Sequence, residues 1–274
     1  MPDTKTTQAL VELNRRFYHR HAAAFVASRR RPWSAWERLV PRQAPAAGWR
    51  VLDVGCGQGR FARFVEEHTG QWPRYVGVDS SRELLAVARD DLTRGDPDPA
   101  PVLELVTLVE GSPGAQLDAC LGRHAATGPF DLIVLFGVLH HLPGEALRQT
   151  LLIDLAGRLA PGGRLLASVW RLDQTPRFER KRLPWDEHNT HRTAQGLPTI
   201  DLAALEPGDH LLTWSGDREH PRYCHFPDDA EIARWCTAVH TATGLDAPEQ
   251  IPGDGPGDRD NLYLVFRAER SSGK

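Results

Sequence analysis

Short apolar runs alternate with longer amphipathic stretches along most of the chain, and the two periods predict the elements. Over residues 6–27, Leu10, Leu13, Phe17, His21 and Ala24 share one stripe at helical spacing, extended by Phe25. A short second helix is expected over 35–40, ended by Pro41. Residues 51–54 read as a buried strand, and 58–67 as a helix with Phe61, Phe64 and Val65 inward. A second strand, 75–78, ends at Asp79; Ser80 or Ser81 then caps a helix over 83–92. A third strand is expected over 102–109, closed by Glu110-Gly111-Ser112, and a helix over 114–124. Residues 130–135 are almost continuously apolar, as strands covered on both faces are, and run into Phe136. A helix over 145–159, a turn at 160–163 and a strand over 164–170 complete the alternation. Strand and helix in strict succession predict right-handed crossovers and a mainly parallel α/β sheet with helices on both faces.

Beyond residue 170 the pattern changes. Residues 171–208 are polar and long, and are expected to be irregular; a connection of that length in a compact domain is functional or mobile. Residues 209–214 and 221–226 read as the strands of an inserted hairpin. Asp228 or Asp229 caps a helix over 230–243 that stops at Gly244, and 261–266 forms the last strand after a Gly, Asp and Arg loop at 253–260.

Composition narrows the picture. The 274 residues suit one enlarged α/β domain, and a 41% hydrophobic fraction supports a sizeable core. A net charge of −3 does not indicate a strongly basic nucleic-acid binder, although local basic clusters exist at residues 29–31 and 177–182. No apolar run reaches the ~18 residues of a membrane span, and residues 1–8 lack an apolar signal core, so no membrane partner and a cytoplasmic location are expected. The four cysteines, Cys56, Cys120, Cys224 and Cys236, contain no C-x-x-C pair; this fits a reducing compartment and argues against a zinc or other metal site.

The candidate chemistry centres on Asp53-Val54-Gly55-Cys56-Gly57-Gln58-Gly59, an acid and three alternate glycines between a strand and a helix. Glycines there allow a tight turn and close approach of a ligand to the backbone, and the helix start offers unpaired N–H groups. The third glycine comes one residue earlier than in the dinucleotide fingerprint. Asp79, twenty residues after Gly59, can accept both ribose hydroxyls of an adenosine, a feature shared by NAD enzymes. The motif resembles the first motif of class I S-adenosylmethionine (SAM) methyltransferases. The resemblance implies a Rossmann-like sheet with an antiparallel last strand and SAM as cofactor. Asp53, Gly55, Gly57 and Gly59 would cradle its amino acid end, Asp79 and Ser80 its ribose, and Glu110 and Gly111 its adenine. Tyr18 and Phe136 complete the implied cofactor set.

Further stretches narrow the resemblance: Arg29-x-x-Pro32-Trp33, Leu139-His140-His141-Leu142, Pro161-Gly162-Gly163, Trp170, Gly208-Asp209, Trp214, Arg222-Tyr223-x-His225 and Asp258-Arg259-Asp260-Asn261. In this order they resemble the tRNA methyltransferases that esterify 5-carboxymethyluridine at the wobble position. The resemblance covers roughly residues 15–267 and implies tRNA as acceptor and a small zinc-binding activator subunit as partner. Cys224 departs from it, standing where that family usually has an aromatic residue. The implied organisation is a single methyltransferase domain: an N-terminal helical cap (1–46), a SAM-binding core (47–170), a substrate-side insertion (171–227), and a C-terminal helix and last strand (228–274).

A carboxylate acceptor is already ionised at neutral pH and needs cations rather than a base. Arg29, Arg222 and Arg259 are the candidates, because a guanidinium binds a carboxylate through two parallel hydrogen bonds. A hydroxyl or amine acceptor would instead call on His140 or His141 as base. Tyr18 and Tyr223 are placed to close over the cofactor or orient a base, and Trp33 to form an aromatic wall. A small-molecule O- or N-methyltransferase, a non-catalytic SAM-binding scaffold or activator subunit, and an NAD-dependent oxidoreductase are the competing readings.

Overall fold

The computed structural model describes residues 4–109, 112–124, 128–172 and 175–270. Strands β1 (Arg50–Val54), β2 (Arg74–Asp79), β3 (Val102–Leu105), β4 (Phe130–Leu135) and β5 (Leu159–Trp170) are parallel. A second, three-stranded antiparallel sheet holds β6 (Arg182–Leu183), β7 (Asp209–Trp214) and β8 (Asp217–His225). Strands β9 (Glu249–Gly253) and β10 (Asn261–Arg267) return to the main sheet, whose order is β3-β2-β1-β4-β5-β10-β9, with β10 antiparallel to both neighbours. The helices are α1 (Thr4–Ser28), α2 (Trp36–Leu39), α3 (Arg60–Thr69), α4 (Arg82–Leu92), α5 (Pro113–Arg123), α6 (Glu145–Ala156), α7 (Pro176–Glu179), α8 (Trp185–Ala194) and α9 (Asp229–Thr243).

The apolar runs work as two-faced strands. Leu52, Val54, Ile133 and Leu135 pack with Leu117 of α5, Leu151 and Leu155 of α6, and Trp235 of α9 on one face. Val51, Leu132 and Val134 pack with Trp36 of α2, Phe61 and Phe64 of α3, and Leu85 of α4 on the other. The caps resolve two alternatives: Ser81 accepts the Leu84 N–H to start α4, and Asp228 accepts the Glu231 N–H to start α9.

Three expectations are corrected. The third strand stops at Leu105, because its neighbour β2 ends at Asp79, whose carbonyl accepts the last inter-strand bond from Val106 N–H (2.9 Å). Helix α6 ends at Ala156, and Leu159 already pairs with Phe130; a register shift before Arg164 absorbs the Pro161-Gly162-Gly163 turn within β5. Residues 171–208 are not irregular: among the described ones they supply α7, β6, α8 and a 3-10 turn at 202–204, and the expected hairpin, formed by β7 and β8, is extended by β6 into a small sheet. A strand also forms at 249–253 despite its Gly and Pro, since it lies at the sheet edge, where Pro252 needs no outward donor.

Candidate active site

Strand β1 ends at Val54, and the chain turns through Gly55, Gly57 and Gly59 at φ +78°, +56° and +75°. L side chains avoid that region. A Cβ on Gly55 would stand 2.1 Å from Val138 Cγ2, and one on Gly59 2.5 Å from Leu92 Cδ1. The outer glycines therefore serve packing. A Cβ on Gly57 would meet no protein atom within 4 Å, so the middle of the loop faces open space that a ligand can fill. Asp79, at the tip of β2, braces this loop: its carboxylate accepts from Gly57 N–H and Ser81 N–H, each at 2.8 Å. Burial raises the Asp79 carboxyl above the usual carboxylate range.

These groups open onto a cavity of about 800 Å³ beyond the carboxyl ends of β1, β2 and β4. Between β1 and β4 the strand order reverses, the place where open α/β sheets take their ligands. Helix α1 contributes Thr7, Val11, Asn14 and Tyr18 to its wall.

The fold brings Tyr18, Arg29, Gly55, Gly57, Asp79, Ser80, Phe136 and Arg222 to this one cavity, together with Trp33, Val138, His141 and Trp170. Other expected residues lie elsewhere. Asp53 is buried below the loop, where it accepts a 2.6 Å hydrogen bond from the Tyr75 hydroxyl; burial pushes its carboxyl up to about 7. Gly59 sits under α4 as the start of α3. His140 does not reach the cavity: its ring stacks on Trp170 at 3.6 Å between centroids, and burial drives its basicity well down. Tyr223 points away, donating its hydroxyl to Asp209 (2.7 Å) inside an apolar cluster with Leu10 and Leu211. Arg259 is exposed in the 254–260 loop, which Asp254 ties to Ala35 N–H and the Asn261 amide. Glu110 and Gly111 lie outside the described residues.

Arg222 has an unusual setting. It is 4% exposed, and its guanidinium carbon lies 5.0 Å from the Trp170 ring centre, 5.2 Å from Phe17 and 5.5 Å from Trp214. Among the described residues its Nε has no hydrogen-bond partner, and no carboxylate is shown paired with it. A buried cation held by ring faces but left without an anion is poised to receive one.

His141, rather than His140, meets the cavity. Its Nδ1 lies 3.0 Å from the Tyr223 carbonyl and its Nε2 2.8 Å from the Tyr18 hydroxyl. The pattern assigns a neutral ring that donates from Nδ1 and accepts from Tyr18 at Nε2. Burial and the Arg222 charge push this imidazole down to about 3, and burial pushes the Tyr18 phenol up to about 12. Asn14 locks the arrangement by accepting Tyr223 N–H at 2.8 Å and donating to the His141 carbonyl at 3.3 Å. Sequence reasoning passed over Asn14; a buried-side asparagine on a helical stripe carried no chemical signal by itself.

The methyltransferase domain family model matches residues 19–239. A probable tRNA methyltransferase 9B of Mus musculus is 27% identical over 232 residues, covering 81% of this chain and 42% of that protein, so the chain corresponds to less than half of that relative. A putative methyltransferase of Encephalitozoon cuniculi is 29% identical over 226 residues, covering 81% of this chain and 83% of that protein. Among solved structures, a SAM-dependent methyltransferase of Methanosarcina mazei shares the fold at a TM-score of 0.54 and 13% identity, over 88% of this chain and 99% of its own. With the family model spanning the glycine cradle, the acid-tipped second strand and the loop after β4, the chain belongs to the methyltransferase domain family and is a class I, SAM-dependent methyltransferase.

Proposed function

We propose that this enzyme methylates a carboxylate oxygen, and that its acceptor is 5-carboxymethyluridine at the wobble position of tRNA. The observation that carries the reading is Arg222, a buried guanidinium in the cavity wall with aromatic neighbours and no acid partner among the described residues. SAM held by Gly55, Gly57, Asp79 and Ser80 supplies a methyl group already activated by its sulfonium. What remains for the chain is to hold the acceptor in line. Arg222 can clamp a carboxylate through two parallel hydrogen bonds, and Arg29 lines the same cavity. Orientation of this kind accounts for about 7–11 kcal/mol of barrier reduction in favourable systems. An ionised acid needs no general base, so neither His141, whose basicity burial and the Arg222 charge lower to about 3, nor Tyr18, whose phenol burial pushes up to about 12, is called on for proton removal.

The tRNA acceptor draws support from the ordered motifs and from the tRNA methyltransferase name of the mouse relative. A small zinc-binding activator subunit belongs to the same proposal. One observation favours a small carboxylic acid instead: residues 4–19 of α1 line the cavity, which bounds the space beside the cofactor loop. The test offers labelled SAM and the purified chain parallel pools of alkali-treated bulk tRNA and small carboxylic acids, with and without such an activator. Alkali-labile label in tRNA is the expected result. Label only in the acid pool would replace the tRNA acceptor but keep the carboxylate chemistry; alkali-stable label would overturn both.

A further inference from the structure

His140 and His141, in the helical turn after β4, meet Cys224 of β8 across more than eighty residues of sequence. One donor atom of each lies within 4.8 Å of the other two. Cys224 is fully buried, and His140 is 2% exposed. Both ring nitrogens of His140 lack any hydrogen-bond partner among the described residues. Buried polar nitrogens are nearly always paired, so two on one ring point to a missing ligand. The acceptor clamp and the cofactor cradle use neither His140 nor Cys224.

We propose that His140, His141 and Cys224 form a binding site for a soft metal ion with a filled d shell, Zn²⁺ or Cu⁺, beside the cofactor cavity. Two imidazoles and a thiolate are the donors such ions select. Bonds of about 2.0–2.3 Å to one tetrahedral ion hold the donors about 3.3–3.8 Å apart, so side-chain shifts of about 1 Å close the site. The Cys224 thiol releases its proton to solvent as the metal–sulfur bond forms, the imidazoles bind as neutral bases, and His141 exchanges one hydrogen bond for the metal. Charge discriminates the two ions: one thiolate neutralises Cu⁺ and leaves Zn²⁺ with a single positive charge close to Arg222. Three protein donors leave a fourth position for water or an oxygen donor.

The test uses the full chain, stripped with a chelator and checked for folding by its thermal melt. It is titrated anaerobically with Co²⁺ as a spectroscopic stand-in for Zn²⁺, with Zn²⁺ in competition, and separately with Cu⁺ against a chromogenic Cu⁺ chelator. One ion per chain is expected. For Co²⁺, a thiolate-to-metal charge-transfer band should appear, vanish in Cys224→Ser and persist in Cys236→Ser. His140→Gln should lose affinity by about 100-fold or more. Tight binding of one ion and not the other identifies the ion. A folded chain that binds neither, or a charge-transfer band that survives in a folded Cys224→Ser or Cys224→Ala variant, overturns the site.

Discussion

At the scale of single residues, the cavity depends on Arg222. Its guanidinium sits among Trp170, Phe17 and Trp214, so its cost of burial is met by ring faces and the charge stays available. Removing a charge-assisted contact to a buried anion costs about 2–4 kcal/mol, or roughly 30- to 1000-fold. Arg222→Ala should therefore lower kcat/KM for the acceptor by that factor while SAM affinity, measured by calorimetry, stays within about twofold. Equal losses in both would show that Arg222 supports the fold rather than the acceptor. Gly55 is the corresponding residue on the cofactor side. A methyl there collides with Val138 and forces a side chain into φ +78°. Gly55→Ala should weaken SAM binding at least tenfold in a titration; unchanged affinity would remove the cradle from the account. The arginine itself was legible as a cation in a recurrent motif. Its cage was not, because Phe17 and Trp214 come from α1 and β7, about two hundred residues apart.

At the scale of elements, a buried polar network fastens the inserted sheet to the core. His225 of β8 faces Asp209 at 2.7 Å through Nδ1 and Glu231 of α9 at 2.9 Å through Nε2. Arg148 of α6, fully buried, donates to Glu206, to Glu231 (2.8 Å) and to the Leu142 carbonyl (2.7 Å), and Tyr223 donates to Asp209. Flanked by acids on both nitrogens, His225 has its pKa raised from 6.5 despite the opposing effect of burial. Its stabilisation is fully present below the unfolded value of 6.5 and is lost as pH rises through the folded value. Glu231 is lowered from 4.5 against its own burial, by His225 and Arg148, so its contribution is present above 4.5 and lost as pH falls through its folded value. The melting temperature of the wild type minus that of His225→Gln should peak between these limits and shrink on the alkaline side. A difference that is flat with pH in scanning calorimetry would refute the charged histidine. Arg148→Ala leaves the buried Glu231 and the half-buried Glu206 without this cation and should cost about 3–5 kcal/mol in denaturant unfolding. None of this was visible in the expected hairpin, since the network joins a connecting loop, two strands and two helices.

At the scale of the whole molecule, two apolar layers clamp a seven-stranded sheet, and the cofactor cavity opens where its strand order reverses under α1. No helix among the described residues is long and apolar enough to cross a membrane. A ligand bound only by the folded chain stabilises it by mass action, about 2.7 kcal/mol at a hundred times Kd. For a chain of this size, SAM at that excess should raise Tm by roughly 5–10 °C, whereas NAD at equal concentration should leave it unchanged. Because α1 lines the cavity, protease cleavage within residues 4–28 should also slow when SAM is bound. No Tm shift with SAM would contradict the cofactor assignment at its root.

Hydrophobic periodicity by itself determined the five parallel strands, the helices between them and the existence of the last strand, and the glycine motif marked the loop, because each is a local property of contiguous residues; the antiparallel direction of the last strand came from the family resemblance. The spacing of Asp79 from Gly59 placed an acid at the next strand end for the same reason. Tertiary structure decided which side chains share a volume. It turned Tyr223 inward and His141 outward from neighbouring backbone, left Arg259 in solvent, and buried Asp53 beneath the loop it precedes. It also carried Cys224 to a pair of histidines that no spacing in the sequence connects to it. Such meetings depend on strand register and on the path of an insertion, where a shift of one residue reverses every side chain. A sequence read locally holds the elements, whereas the chemistry that arises between elements exists only once they are packed.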